Sequence, residues 1–344
     1  MIDVKILGKT AAGENIQRIT LERGPFRAQL LNLGANLQTL EVPDAQGQRH
    51  DIVLGFSDPL QNLSSTTYFG QTVGRYANRI AGGTFVLDEK EYQLQQNEGN
   101  NTLHSASANW GHKPWVSETF SLDGNPGVVF SYYSPDGEGG FPAAVNATVS
   151  YLLSDDGSLT IDYEVTATAP TVLNLTNHSY FNLAGAGSGS IANHLMQLFC
   201  DHYLPVDAEL IPTGEVLSVA DTPFDFQQPK LIGKDLEAAG GYDHCFIQKR
   251  AGEGLEPLAI VSEEKSGRVM EVASTLPAVQ FYSGNFLDGS EVGKGGAAYK
   301  QHGGFCLETQ YYPNSVNEPA FPSTVFTPER PYRHSTRFSF SVRR

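Results

Sequence analysis

Leu159, Ile161, Tyr163 and Val165 alternate with Thr160, Asp162, Glu164 and Thr166. A hydrophobic period of two fits an extended strand with one dry and one wet face; it does not fit a helix. The C-terminal run Arg337-Phe338-Ser339-Phe340-Ser341-Val342 alternates in the same way. Thr84-Phe85-Val86-Leu87, the polar turn Asp88-Glu89-Lys90 and Tyr92-Gln93-Leu94 read as a hairpin. The 35 glycines and 19 prolines are spread along all 344 residues, so turns punctuate the chain throughout and no linker stands out. The best helix candidate is short, Leu231 to Ala239, and ends at Gly240-Gly241 as a C-capped helix would. Many short strands without a fixed repeat predict an all-β architecture of sheet packed on sheet, rather than a propeller or solenoid.

Net charge narrows the partners. The chain carries a formal charge of −15, which repels phosphate backbones and anionic lipid surfaces, so neither nucleic acid nor membrane is the expected partner. Cys200, Cys245 and Cys306 form no CxxC pair and read as reduced structural thiols. Met1 to Gly8 lacks the apolar run of a signal peptide, and nowhere do 18 uninterrupted apolar residues occur. The expectation is a soluble, cytoplasmic protein, either monomer or homodimer.

The segment Asn174-Leu175-Thr176-Asn177-His178-Ser179-Tyr180-Phe181-Asn182-Leu183 carries the strongest chemical signal. If extended, it points Asn174, Thr176, His178, Tyr180 and Asn182 to one face and Leu173, Leu175 and Phe181 to the other. The first face has the make-up of a site lining. The glycine-rich run Gly185 to Ser190 opens no strand-turn-helix unit and reads as a loop rather than a phosphate cradle. The nine histidines show no HxxxH or HxH spacing, so a zinc or cupin-type site is not expected.

The run N-x-T-N-H-x-Y-F-N-L closely resembles the motif of the aldose 1-epimerases. Other blocks follow in that family's order: Gly74-Arg75-Tyr76-Ala77-Asn78-Arg79-Ile80, Leu103-His104, Phe141-Pro142, Gly241-Tyr242-Asp243-His244, Gln280-Phe281-Tyr282-Ser283-Gly284-Asn285 and Cys306-Leu307-Glu308-Thr309-Gln310. The resemblance spans nearly the whole chain. It implies a large antiparallel β-sandwich, a supersandwich with few short helices, over residues 1–344 as a single domain. One departure stands out: the family commonly has Leu-His-Gly-Gly where this chain has Leu103-His104-Ser105-Ala106. Two glycines able to take positive φ are missing, which puts the geometry of the His104 loop in question.

Interconverting the anomers of a sugar needs a base for the C1 hydroxyl proton and an acid for the ring oxygen, with no cofactor or metal. A buried carboxylate and a histidine suit that task. By resemblance, Glu308 is the candidate base and His178 the candidate acid, roles that exchange in the reverse direction. Read as a strand, Cys306, Glu308, Gln310 and Tyr312 share one face. His104, Asn78, Arg79, Asp243 and Gln280 match the family's sugar-binding positions, and Tyr180 shares the face of His178. The expected partner is a small free aldose such as galactose or glucose. Two other readings remain open: a sugar-binding or sensing module without turnover, and a hexose 6-phosphate epimerase, although no basic cluster is evident for a phosphate.

Overall fold

The computed structural model describes residues 1–343, and its strands are organised chiefly in three antiparallel sheets. The largest has nine strands. Val116–Leu122, Asn125–Ser134, Val145–Leu153 and Ser158–Ala167 follow one another as a meander, and the C-terminal strand Tyr332–Val342 is inserted beside them. Arg268–Ser274, Glu256–Ser262, Leu195–Leu198 and Lys230–Leu231 then complete the sheet. The alternation read from sequence holds here: Leu159, Ile161, Tyr163 and Val165 are buried while Asp162, Glu164 and Thr166 are exposed. Tyr332, Thr336, Phe338 and Phe340 do the same for the last strand. A five-stranded meander, from Ile2–Lys9 to Arg49–Asp51, supplies Ile19, Leu21, Leu30 and Leu37 to the same core as these residues. The expected hairpin is present as Thr84–Leu87 paired with Lys90–Gln93.

The six-stranded sheet positions the site. Its order is Tyr180–Phe181, Phe305–Gln310, Ala278–Tyr282, Asp243–Gln248, Cys200–Leu204 and Leu217–Ser218. Phe305–Gln310 and Ala278–Tyr282 are buried at every residue. One face supplies Val279, Phe281, Phe305 and Leu307 to the main core. The opposite face is covered too, so period two separates core from site here instead of core from solvent.

Two expectations are corrected. Leu231 to Ala239 is not a helix: it passes from the short edge strand Lys230–Leu231 into a single 3₁₀ turn, Ile232–Lys234. Leu195 pairs with Leu231, and the Ile232 N–H donates to the His194 carbonyl at 2.9 Å. Sheet-edge pairing and burial of Ile232 thus outweigh a helix too short to overcome its nucleation cost. Residues 174–183 are likewise not one strand. Thr176–Asn177 pairs with Thr72–Val73, whereas Tyr180–Phe181 pairs with Phe305 and Cys306. Between them Asn177 Oδ1 accepts from the Ser179 N–H and Oγ, at 3.2 and 2.6 Å, and this local turn carries the chain from one sheet to the next. Among the described residues, no helix is long and apolar enough to cross a membrane.

Candidate active site

Register places the site residues. In antiparallel sheets directly opposed residues share a face, and Tyr180 opposes Cys306, Cys306 opposes Tyr282, Tyr282 opposes Asp243, and Gln280 opposes Glu308. A second group comes from loops above this sheet. Leu103 opposes Arg79 in a two-residue ladder. Just beyond it, the His104 N–H donates to the Asn78 carbonyl at 3.1 Å, and the Asn78 N–H donates to His104 Nδ1 at 3.1 Å. Asn78 adopts φ of 63° and its Oδ1 accepts from the Arg79 N–H at 2.8 Å.

These groups enclose a pocket of about 180 Å³ lined by Asn78, Arg79, His104, His178, Tyr180, Asp243 and Glu308, together with Thr66, Thr67, Tyr68, Glu98, Leu103, Tyr282, Phe286 and Leu287. Seven of the eight residues singled out in the sequence therefore line one cavity. Gln280, the eighth, stands behind Asp243: its Nε2 donates to Asp243 Oδ1 at 2.7 Å. Asn174, Thr176 and Asn182 do not reach the pocket. Asn174 clamps Tyr311 and Ala77, and Asn182 clamps the Gly189 and Gly303 carbonyls. The bend at Asn177–Ser179 rotates them away from His178.

His178 Nε2 lies 3.6 Å from Glu308 Oε2, with both side chains about 5% exposed or less. Cys306 Sγ is 3.6 Å from the other ring nitrogen of His178. The His178 ring stacks on Tyr180 at 5.2 Å and meets His104 edge-on at 5.2 Å; Tyr68 packs on His104 at 4.7 Å. Burial raises the Glu308 carboxyl well above its usual range, with the Asp243 charge adding to it and Arg79 opposing. Burial lowers His178 to about 4 and holds His104 well below its usual value, where the charges of His178 and Arg79 add to the effect. Asp243 is raised by burial, against Arg79 and the Gln280 hydrogen bond. Arg79 is 4% exposed; burial works against its charge, yet Asp243 and Glu98 raise its pKa overall.

Ligand atoms of His104, His178 and Glu308 lie within 4.8 Å of one another, a spacing that invites a metal. The tautomer of His104 argues against it. A backbone N–H can only donate, so His104 Nδ1 must accept from Asn78, and the neutral ring then carries its proton on Nε2. A metal-binding imidazole has the reverse arrangement, with the second nitrogen donating. His104 is built as a hydrogen-bond donor.

A family model described as aldose 1-epimerase matches residues 17–339. The chain belongs to the aldose 1-epimerase family. It is 46% identical over 329 residues to the galactose mutarotase of Sus scrofa, covering 95% of this chain and 94% of that protein. It is 35% identical over 319 residues to the aldose 1-epimerase of Escherichia coli, covering 90% and 91%. Among solved structures, the GalM/aldose epimerase homologue from C. elegans superposes with a TM-score of 0.88 at 30% identity, covering 96% of this chain and all of that one.

Sequence reasoning missed Tyr68, Glu98, Tyr282, Phe286 and Leu287 as lining residues of the aldose 1-epimerase pocket. Tyr282 was within reach, since it lies two residues beyond Gln280 on a strand and so shares its face. Tyr68 and Glu98 sit in loops without period, where no pattern marks them.

Proposed function

We propose that this chain interconverts the α and β anomers of a free aldohexose, galactose or glucose, with Glu308 and His178 as the proton-transfer pair. The observation that carries the assignment is their 3.6 Å approach, both side chains buried, in the wall of the pocket. In the forward step the Glu308 carboxylate takes the O1 proton, C1=O1 forms, and the C1–O5 bond breaks with its electrons going to O5. O5 takes the proton of the His178 imidazolium. Rotation about C1–C2 turns the other aldehyde face to O5. On reclosure O5 returns its proton to His178, and O1 regains one from Glu308.

The pair needs one proton in total throughout. Burial favours a neutral Glu308 carboxylic acid beside a neutral His178, which is the state that accompanies the open-chain sugar. Reaching the charged state requires moving one proton between groups 3.6 Å apart, and the nearby Arg79 charge favours the carboxylate. His104 serves as a fixed Nε2–H donor beside them, and Asp243 and Asn78 meet hydroxyls. The only arginine or lysine among the lining residues is Arg79, set against Glu98, Asp243 and Glu308, so a phosphorylated hexose is disfavoured.

Polarimetry with α-galactose, α-glucose and glucose 6-phosphate tests the reading. The free sugars should be turned over and the phosphate ester should not. His178→Asn and Glu308→Gln should each lower kcat at least ~10²-fold, in line with the loss of one proton-transfer group, while a thermal melt confirms folding. Near wild-type turnover in either folded variant would refute the pair.

A further inference from the structure

Arg79 has two sets of acidic neighbours. On one side Glu98 takes its Nε and Nη2 in a bidentate pair, at 2.6 and 2.9 Å. On the other side Asp243 Oδ2 stays 4.0 Å from Nη2, beyond hydrogen-bond distance. Yet Asp243 is the more buried of the two carboxylates, its side chain 13% exposed against 37% for Glu98. A guanidinium free to choose would be drawn to the drier carboxylate, where the attraction is less screened. The strong pair is the outer one.

The turn that carries Glu98 is built for that. Gly99 takes φ of 58°, and Glu98 and Asn101 exchange backbone hydrogen bonds at 2.9 and 3.2 Å. The Asn101 side chain is held from both sides: Oδ1 accepts from the Gly82 N–H and Nδ2 donates to Glu209. Asn97 reads the Leu103 backbone through both side-chain atoms, at 2.7 and 3.1 Å. Leu103 in turn opposes Arg79 in the ladder. Glu98 and Arg79 are therefore fixed to one short ladder that ends at His104.

We propose that Glu98 is a positioning residue that holds the Arg79 guanidinium away from Asp243 and Glu308, keeping its remaining N–H groups available to sugar hydroxyls. This rests on the mutarotase reading of the pocket. Without Glu98, Arg79 would close on Asp243 as a direct ion pair. Both would be lost to the sugar, and the cation would come to rest nearer Glu308, lowering the proton affinity of the Glu308–His178 pair.

The test is Glu98→Ala alongside Glu98→Gln, whose amide oxygen can still accept from Arg79. In Glu98→Ala, KM for galactose should rise about tenfold with kcat changed less than about threefold. Both limbs of the pH–rate profile should move to lower pH, and Glu98→Gln should fall between Ala and wild type. A crystal structure of Glu98→Ala should show Arg79 within hydrogen-bond distance of Asp243. That readout is independent of turnover, so an inactive wild type would refute the mutarotase reading and leave this one standing or falling on the position of Arg79. Arg79 unmoved in the variant, or KM and both limbs unchanged, overturns the proposal. If Glu98→Ala fails to fold, Glu98→Gln carries the same kinetic and crystallographic readouts, and a variant identical to wild type in both overturns it.

Discussion

Asp243 and Gln280 act as one unit, because the amide of Gln280 donates to Asp243 Oδ1 at 2.7 Å and fixes which carboxylate oxygen faces the pocket. In the proposed reaction neither is assigned a proton to move, and sugar hydroxyls change little on ring opening. Asp243→Asn and Gln280→Ala should therefore raise KM for galactose and leave kcat within a fewfold. A hydrogen bond to a charged group contributes about 1.5–3 kcal/mol, so the Asp243→Asn increase should be ~10- to 100-fold, with Gln280→Ala at the lower end since it acts through Asp243. Steady-state polarimetry over a range of galactose concentrations checks it. Loss of turnover at unchanged affinity would move Asp243 into the proton-transfer set. At this scale the sequence was legible where a residue type is tied to a distinctive neighbourhood, as with His178 among asparagines and aromatics. It was opaque for Glu98, whose importance comes from Arg79, nineteen residues earlier and distinguishable only once the ladder is known.

The turn at His104 shows how an element keeps its shape after losing its glycines. His104, Ser105 and Ala106 adopt φ of 51°, 64° and 51°, a left-handed run that costs L-residues about 1–2 kcal/mol each. Ser105 offsets its share: Oγ accepts from the Tyr76 N–H at 2.8 Å and donates to the Tyr76 carbonyl at 3.1 Å. Ala106 has no such bond. Ala106→Gly should thus stabilise the protein by about 1 kcal/mol, the strain relieved less the extra freedom of glycine in the unfolded chain. Ser105→Ala keeps the strain and strands the buried backbone of Tyr76, so it should destabilise by about 1–3 kcal/mol. Chemical denaturation of both variants decides this, and a destabilised Ala106→Gly would show that the turn is not strained. Elements with period-two alternation, such as Ser158–Ala167, could be read directly, as could the Thr84–Gln93 hairpin. The 174–183 segment could not, because its polar residues divide between site and backbone clamps according to a bend that local alternation does not encode.

Across the whole molecule, burial of neutral histidines ties stability to pH. His178, His194, His244 and His334 are each lowered to about 4, chiefly by burial, and His104 is held well below its usual value. In the unfolded chain these rings take up protons near pH 6.5. Between there and about 4 the unfolded state binds more protons than the native one, so stability rises with pH and is lost on acidification. Each ring contributes a slope of up to about 1.4 kcal/mol per pH unit in that window. Glu308 and Asp243 work the other way: raised in the native state, they hold protons that the unfolded chain releases. Two such carboxyls oppose six histidines, counting His112, which burial also lowers, so the net sign belongs to the histidines. The rings are dispersed, yet one hydrophobic cluster runs from Ile19 through Leu159 and Phe281 to Phe340, joining all three sheets. The loss should therefore be felt as a single transition across residues 1–344, as expected of one domain. Calorimetric scans between pH 7 and pH 4 should give one endotherm whose midpoint falls steeply below about pH 6.5. A flat midpoint over that window would mean that the histidines titrate normally in the native protein, and two separated endotherms would divide the chain into independent units.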